Sequence, residues 1–515
     1  MKKLLLFAMM LLNMTTIMAQ KSGSSDNYIK VGNAEDLALA IAKNPSAKIQ
    51  LTADIDATKL RRICRTTFGG TITGKHKVYS EEQNDSVDAM YAIVGNGEED
   101  EKTWLFDKVE GATFDNIIFR NFVAERDVDN LGIIAPEVVK STFSNLVFKN
   151  ISIYQKKCNA GVIAGKATDC KFKNITVKYS TVIVDDRRAG GLVGISSNST
   201  FNNCAIYGTT GVYAIGSERE ARVGGIVGES EKDCFEECEN IGFICGRFDY
   251  LGGIAGRCKE SKFTGCINQN MIISAPTNSN DKYAFFEVNI NRIRIQYSSI
   301  KVHFEENAPI EAVIPIHNLI MLDDVASYDK VAGICGYAEK CEFERCTNKG
   351  RLYTDDKKCG GIVGFAKGGK INNCLNAADL FINQRTSQTA SKTLGGIVGR
   401  VEENTIITNC LSTQDFSIIG TGSASSLSIN NYRLENEDGK NNTANYEILV
   451  DLAKIANGTV ARWLNNGVEN RELAAQIWRQ NLQEDKDAYP VLDTTHNEVT
   501  IKDLPHMTIK SEADL

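Results

Sequence analysis

Residues 359–374 read CGGIVGFAKGGKINNC, with the paired glycines and lysines from which phosphate loops are built. A nucleotide site of that kind needs a single strand–loop–helix unit whose backbone N–H groups cradle the phosphates. Two acidic pairs suggest different chemistry. Asp185 and Asp186 lie in VDDRRAG (184–190), and Asp355 and Asp356 lie in TDDKKCG (354–360). Convergent carboxylates beside an arginine or lysine serve polysaccharide lyases and hydrolases, as acid and base or as calcium ligands. His76, His303, His317, His496 and His506 form no His-Glu-x-x-His pair, so a zinc peptidase of that type has no support. The CFEEC stretch (234–238) has no histidine nearby, and no Cys-x-x-Cys pair occurs. No metal or cofactor site is expected.

The glycine motif is not local. LGIIAP begins at Leu131, AGVIAG at Ala160, AGGLVG at Ala189, VGGIVG at Val223 and LGGIAG at Leu251. VAGICG follows from Val331, CGGIVG from Cys359 and LGGIVG from Leu394. Their last residues are separated by 29, 29, 34, 28, 80, 28 and 35 positions. A period near 28 with one long insertion marks a solenoid. In-phase copies with no helix after them do not make phosphate loops, so the nucleotide reading falls.

Each copy is followed by an apolar residue, two variable residues and usually a cysteine: Phe201/Cys204, Phe235/Cys238, Phe263/Cys266, Phe343/Cys346, Ile371/Cys374 and Ile407/Cys410. Leu146 and Ile175 stand at the cysteine position of the first two copies. A third apolar run closes each unit, and asparagine, glycine, aspartate and lysine clusters separate the runs. Three short strands per repeat joined by turns predict an all-β fold, a right-handed parallel β-helix with three strands per coil. One coil cannot bury its apolar face alone; coils stacked about 4.8 Å apart can. The glycine pairs then sit at a corner where no Cβ fits between stacked backbones.

These residues resemble the GLUG repeats of bacterial surface and secreted proteins, some of them attached to immunoglobulin-A-cleaving peptidases. The segments IQLTADID (49–56), FGGTITGKHKV (68–78) and LFDKVEGATFDNIIF (105–119) are similar to the lead-in coils of such proteins, and WRQNLQEDKDAYPVLD (478–493) to their closing segment. Trp104-Leu105-Phe106-Asp107 departs from the usual Gly-Leu-Phe-Gly. The resemblance covers roughly residues 28–495. It implies a β-helix used in surface adhesion and association, with no assigned reaction.

Around this body the elements fall into order. Lys2, Lys3, the apolar run Leu4 to Leu12 and Ile17-Met18-Ala19 read as a signal peptide over 1–19, too short to span a bilayer. No cysteine follows the run to receive a lipid, and no later stretch is long and apolar enough to cross a membrane. A capping segment is expected over 20–48, with Asn33 as N-cap and an acidic first turn ahead of Leu37, Leu39 and Ile41 in a short helix. The β-helix occupies 49–425, with an insertion lobe at about 273–330. Residues 426–515 form a second cap. There EILVDLAKIANGTVARWLNN (447–466) and NRELAAQIWRQNL (470–482) have helical spacing, and Trp463 and Trp478 are assigned to the cap core.

The chain has 515 residues, 15 of them cysteines, and a formal charge of −7, which disfavours nucleic acid as a partner. Six of the cysteines share one repeat position, where stacking holds Cβ atoms near 4.8 Å rather than the ~3.8 Å a disulfide wants. Buried free thiols are therefore expected, with Cys170, Cys234 and Cys341 as the ones placed to pair with neighbours. Tyr283, Phe285 and Arg292, on the alternating strands of the insertion, are the candidate partner-binding residues, and packing onto the spine is the competing role. No catalytic residue is assigned. The expected function is an exported, non-enzymatic, adhesin-like protein that binds a host or microbial surface protein or glycan. It would be secreted or on the cell surface, with the periplasm as the other location. A carbohydrate-active enzyme built on Asp185, Asp186, Asp355 and Asp356 is the alternative.

Overall fold

The computed structural model describes residues 27–58, 63–80, 85–95, 104–125, 127–214, 221–246, 250–274, 330–354, 358–382, 394–422, 426–435, 447–466 and 477–504. Among them, 41 strands join one hydrogen-bonded network, and a separate antiparallel hairpin pairs Lys75–Ser80 with Asp85–Met90. The network is a parallel β-helix. Val193–Ser197, for example, pairs with Ala164–Thr168 on one side and Val227–Glu231 on the other. The 80-residue interval adds no coil, because Lys262–Thr264 pairs directly with Glu342–Glu344 and Tyr250–Gly252 with Lys330–Ala332.

Equivalent residues pile into columns. Phe114, Phe143, Phe172, Phe201, Phe235, Phe263 and Phe343 stack with ring centroids 4.6–5.4 Å apart and planes within 8° of parallel. Strand spacing dictates that geometry, and the rings fill the interior without a gap. Leu146, Ile175 and then the six repeat cysteines form the next column, all fully buried. No disulfide joins any cysteine, Cys170, Cys234 and Cys341 included. Burial holds Cys204, Cys266, Cys346 and Cys374 well above the ordinary thiol range, so these groups pack as neutral apolar units.

Between the two columns the chain turns through a left-handed residue at every coil. Asn116, Asn145, Asn174, Asn203, Asn373 and Asn409 take this position with φ between 50° and 55°. Asparagine tolerates that conformation better than other side chains, which explains the asparagine clusters between strands. A second set is interior: Asn240 donates to Asn268, Asn268 to Asn348 and Asn348 to Asn376, at 2.6–2.9 Å, with all four side chains fully buried.

Both ends are capped. Helix α1 (Ala34–Lys43) begins at Asn33, whose Oδ1 accepts the Asp36 N–H at 2.8 Å. It buries Leu37 and Ile41, but Leu39 is 43% exposed, because it falls on the opposite side of the helix from those two. Helices α2 (Leu452–Ala456) and α3 (Thr459–Asn466) close the far end over Leu375, Leu411 and Tyr432. The expected helix through 470–482 does not extend over its described part, 477–482. Asn465 takes both the N–H and the C=O of Trp478, and Arg479 bridges to Val491, so that backbone is satisfied without helical bonds. Trp478 is fully buried in the cap and Trp463 half-buried beside Tyr432. No helix among the described residues is long and apolar enough to cross a membrane.

Candidate functional site

Tyr283, Phe285, Arg292, Asp355 and Asp356 lie outside the described residues. Asp185 and Asp186 fall in the strand Thr181–Gly190, where Asp186 stands opposite Lys157. The register runs Arg188, Arg222, Tyr250, Lys330, Lys358. The coils that carry the two aspartate motifs are thus four rungs apart, about 19 Å. Among the described residues, no group of three His, Cys, Asp or Glu side chains is arranged to hold a metal ion.

The glycine motif does other work. At Gly252 a Cβ would lie 2.0 Å from the Ala255 carbonyl oxygen, so the chain folds sharply back on itself. At Gly253 a Cβ would lie 2.1 Å from the Gly333 carbonyl oxygen of the next coil. The six residues therefore form a re-entrant bend, and the residues on either side of the motif meet outside it. Arg222 precedes VGGIVG and Glu229 follows it; their side chains bond at 3.1 Å. Asn130 and Glu137 flank LGIIAP in the same way and also bond at 3.1 Å.

Stacking turns these flanking residues into two adjoining columns that run together along the helix axis, a strip called the trough below. One column is Arg188, Arg222, Tyr250, Lys330 and Lys358. The other is Ile195, Glu229, Arg257, Tyr337, Phe365 and Arg400. Glu229 accepts from Arg188 Nε at 2.7 Å, Arg222 Nη1 at 3.1 Å and Arg257 Nη1 at 3.4 Å. One carboxylate thus anchors three guanidiniums. Farther along, aromatic rings share the anchoring with Glu402, which pairs with Arg400. Arg222 lies 5.9 Å from the Tyr250 ring centroid, Lys330 4.2 Å from the same ring, Arg257 5.4 Å from Tyr337 and Arg400 5.2 Å from Phe365. Tyr337 meets Tyr250 and Phe365 edge-on, at 5.6 and 5.2 Å. Each such contact contributes on the order of 0.5–1 kcal/mol at a half-exposed site and fixes the plane of the cation.

Sequence reading missed this trough. Its signal was present as the residue immediately before and after each six-residue repeat. Those positions look random along the chain and become a pattern only when the bend is known to bring them together.

No family model and no curated protein matches this chain. Among solved structures it is similar to an IgA1 protease, at 15% identity and a TM-score of 0.40, over 72% of this chain and 23% of that one. It is also similar to a putative immunoglobulin A1 protease from Bacteroides ovatus, at 14% identity and a TM-score of 0.29, over 91% of this chain and 93% of that one. The chain spans about a quarter of the length of the first.

Proposed function

We propose that this chain is an exported, non-enzymatic repeat protein of the GLUG type that presents an extended, adhesin-like binding surface, and that the trough beside the glycine bends is that surface. The observation that carries this reading is the series of guanidiniums and rings held in line by Glu229, Tyr250, Tyr337 and Phe365. A rigid row of cations with fixed planes suits recognition, since little side-chain freedom remains to be lost on binding. Nothing in the row is a reaction centre: Glu229, the carboxylate within it, already holds three arginines. Export is supported by the basic and apolar start of the sequence, Lys2 to Ala19.

A glycan and host-protein binding array tests the reading, run with the wild-type chain and with an Arg257→Gln/Arg400→Gln variant. Binding by the wild type and loss in the variant are expected, with no turnover of any bound glycan. Turnover that disappears on replacing Asp185 or Asp186 would overturn it. Protease shaving of whole cells tests the location; protection of the chain from external protease would contradict a surface position.

A further inference from the structure

We infer that the interior of the solenoid holds a binding site for one water molecule, built from the Asp233 carboxyl and the Ser196 and Ser230 hydroxyls. The site lies inside the helix, apart from the trough, and stands or falls without it.

Two inward columns create it. One begins at Val109 and Val138, shrinks through Ala167 to Ser196 and Ser230, and ends at Val401, all of them buried. The other carries Ser199, Asp233 and Ser261 on successive coils. Serine fills less of the interior than the valines at the ends of its column. That reduction falls at Ser196 and Ser230, the two hydroxyls that face the Asp233 carboxyl. In an interior packed to crystal density, small side chains opposite an acid leave room for a polar guest.

Counting donors and acceptors shows what that guest must do. Ser261 Oγ donates to the Lys259 carbonyl oxygen at 3.0 Å and accepts the Asp233 N–H at 3.2 Å. Its 3.0 Å contact with Ser230 Oγ therefore has Ser230 as the donor, which uses the one hydroxyl proton of Ser230 and leaves its lone pairs. Asp233 Oδ1 accepts the Ser199 N–H at 2.7 Å. Two oxygens are left over. Asp233 Oδ2 and Ser196 Oγ have no hydrogen-bond partner, on residues 2% and 1% exposed. Unmatched buried oxygens are costly, and water closes a gap too long for a direct bond. A water here accepts the Ser196 O–H and donates to Asp233 Oδ2 and to Ser230 Oγ. Those three bonds are the usual number for a buried water. When the carboxyl is protonated, the same water accepts its O–H and donates to the two serine oxygens. It partners Oδ2 in both states and leaves the direction of titration to burial.

The same count selects water over a metal cation. Hard cations such as calcium take about six to eight oxygen ligands, and the site offers three side-chain oxygens, of which only the carboxylate is charged. Among the described residues, no group of three His, Cys, Asp or Glu side chains is arranged to hold a metal ion. An apolar guest would leave both spare oxygens unmatched. The water also explains how an aspartate is tolerated at a position where the adjacent coils carry Ser199 and Ser261.

The test is a high-resolution crystal structure of the full chain, joined to magnetic relaxation dispersion of water oxygen in solution, which counts long-lived internal waters. Density for one water within about 2.6–3.2 Å of Asp233 Oδ2, Ser196 Oγ and Ser230 Oγ is expected. Ser196→Val puts the side chain found at positions 109, 138 and 401 of the same column into the water's place. It should remove one long-lived water from the count. Ser196→Ala leaves the room and two of the three partners and should keep that water. Circular dichroism melting identifies a variant that fails to fold, and the wild-type density then decides alone. A direct hydrogen bond between Ser196 Oγ and Asp233 Oδ2, with no density beside it, overturns the site. So does an unchanged count of long-lived waters in folded Ser196→Val. A peak with shorter bonds to more oxygens, or melting that rises in sodium chloride but not in choline chloride, overturns water as the ligand in favour of a cation.

Discussion

Asp233 sits inside the solenoid, 2% exposed, at a position where the adjacent coils carry Ser199 and Ser261. These side chains form a ladder: Cys170 N–H donates to Ser199 Oγ at 3.1 Å, Ser199 N–H to Asp233 Oδ1 at 2.7 Å and Asp233 N–H to Ser261 Oγ at 3.2 Å. Serine suffices for the ladder, and the aspartate adds a second oxygen, Oδ2, that is buried with no hydrogen bond. Burial therefore pushes the Asp233 carboxyl up to about 7, although the Ser199 N–H and the nearby Ser230 and Ser196 hydroxyls favour the charged form. The other titratable groups around it are Glu231, which raises it further, and the thiols of Cys170, Cys234 and Cys258, all held above the ordinary thiol range. A carboxyl whose folded value lies above its unfolded value of 3.8 binds its proton more tightly in the folded state. It contributes full stability below pH ~4, and that contribution is lost as pH rises through about 7. A rise of about three pH units corresponds to on the order of 4 kcal/mol in all, of which roughly 2.5 kcal/mol falls between about pH 5 and pH 8. Asp233→Ser keeps an acceptor for the Ser199 N–H and removes the titration. Urea denaturation followed by circular dichroism at the two pH values should show the wild type losing stability toward pH 8 and the variant losing less by that amount, so that the variant is the more stable protein at pH 8. If the two proteins keep the same pH slope, the carboxyl is not buried as described and the reasoning fails.

Other positions carry their own expectations. Asn268→Ala breaks the interior asparagine ladder and leaves the Asn240 amide without its acceptor, so a loss of about 1–3 kcal/mol is expected in denaturant titration; a neutral change would mean that the ladder is not closed. Gly253→Ala places a methyl group 2.1 Å from the Gly333 carbonyl oxygen and should prevent the coils from stacking, read as loss of soluble protein or a large drop in melting temperature, whereas unaltered melting would refute the bend geometry. Glu447 holds Arg433 at 3.1 Å and accepts the Ile418 N–H at 2.7 Å, with the Glu447 side chain 1% exposed. Glu447→Ala leaves a buried guanidinium unpaired by its carboxylate and should cost about 3 kcal/mol or more, seen as early proteolytic release of the C-terminal cap. In the native protein a thiol reagent should modify Cys234, the half-buried cysteine, well before the other 14, and all 15 should react after unfolding; fast reaction of Cys266 or Cys346 would show that the interior column is open to solvent.

The architecture was legible because a solenoid writes itself into the sequence once per coil. The glycine triplets, the Phe-x-x-Cys spacing and the 28-residue period each follow from stacking at one interval. Asn33 was legible too, since an N-cap is a local hydrogen bond. What depended on tertiary detail was not. Leu39 has an apolar type on an exposed side of α1, and residues 477–482 have a helical pattern but bond to Asn465 and Val491 instead. Nothing in the sequence around Asp233 marks it as interior, and only the register with Ser199 and Ser261 places it inside. The trough was hidden for the same reason, as its two columns lie seven residues apart in sequence and meet only because the bend is re-entrant.

The stacking of coils, on which the trough and the ladders depend, is open to one distance. Spin labels carried on unnatural ketone side chains at Lys171 and Lys370 avoid the cysteines, and both positions are exposed. The register Lys171, Thr200, Cys234, Lys262, Glu342, Lys370 puts five rungs between them, although almost 200 residues separate them in sequence. Double electron–electron resonance should give one narrow distribution near the backbone separation of about 24 Å, allowing for the label arms. A broad distribution, or a distance longer by about 10 Å as two further coils would produce, would contradict the stacked arrangement and the continuous trough with it.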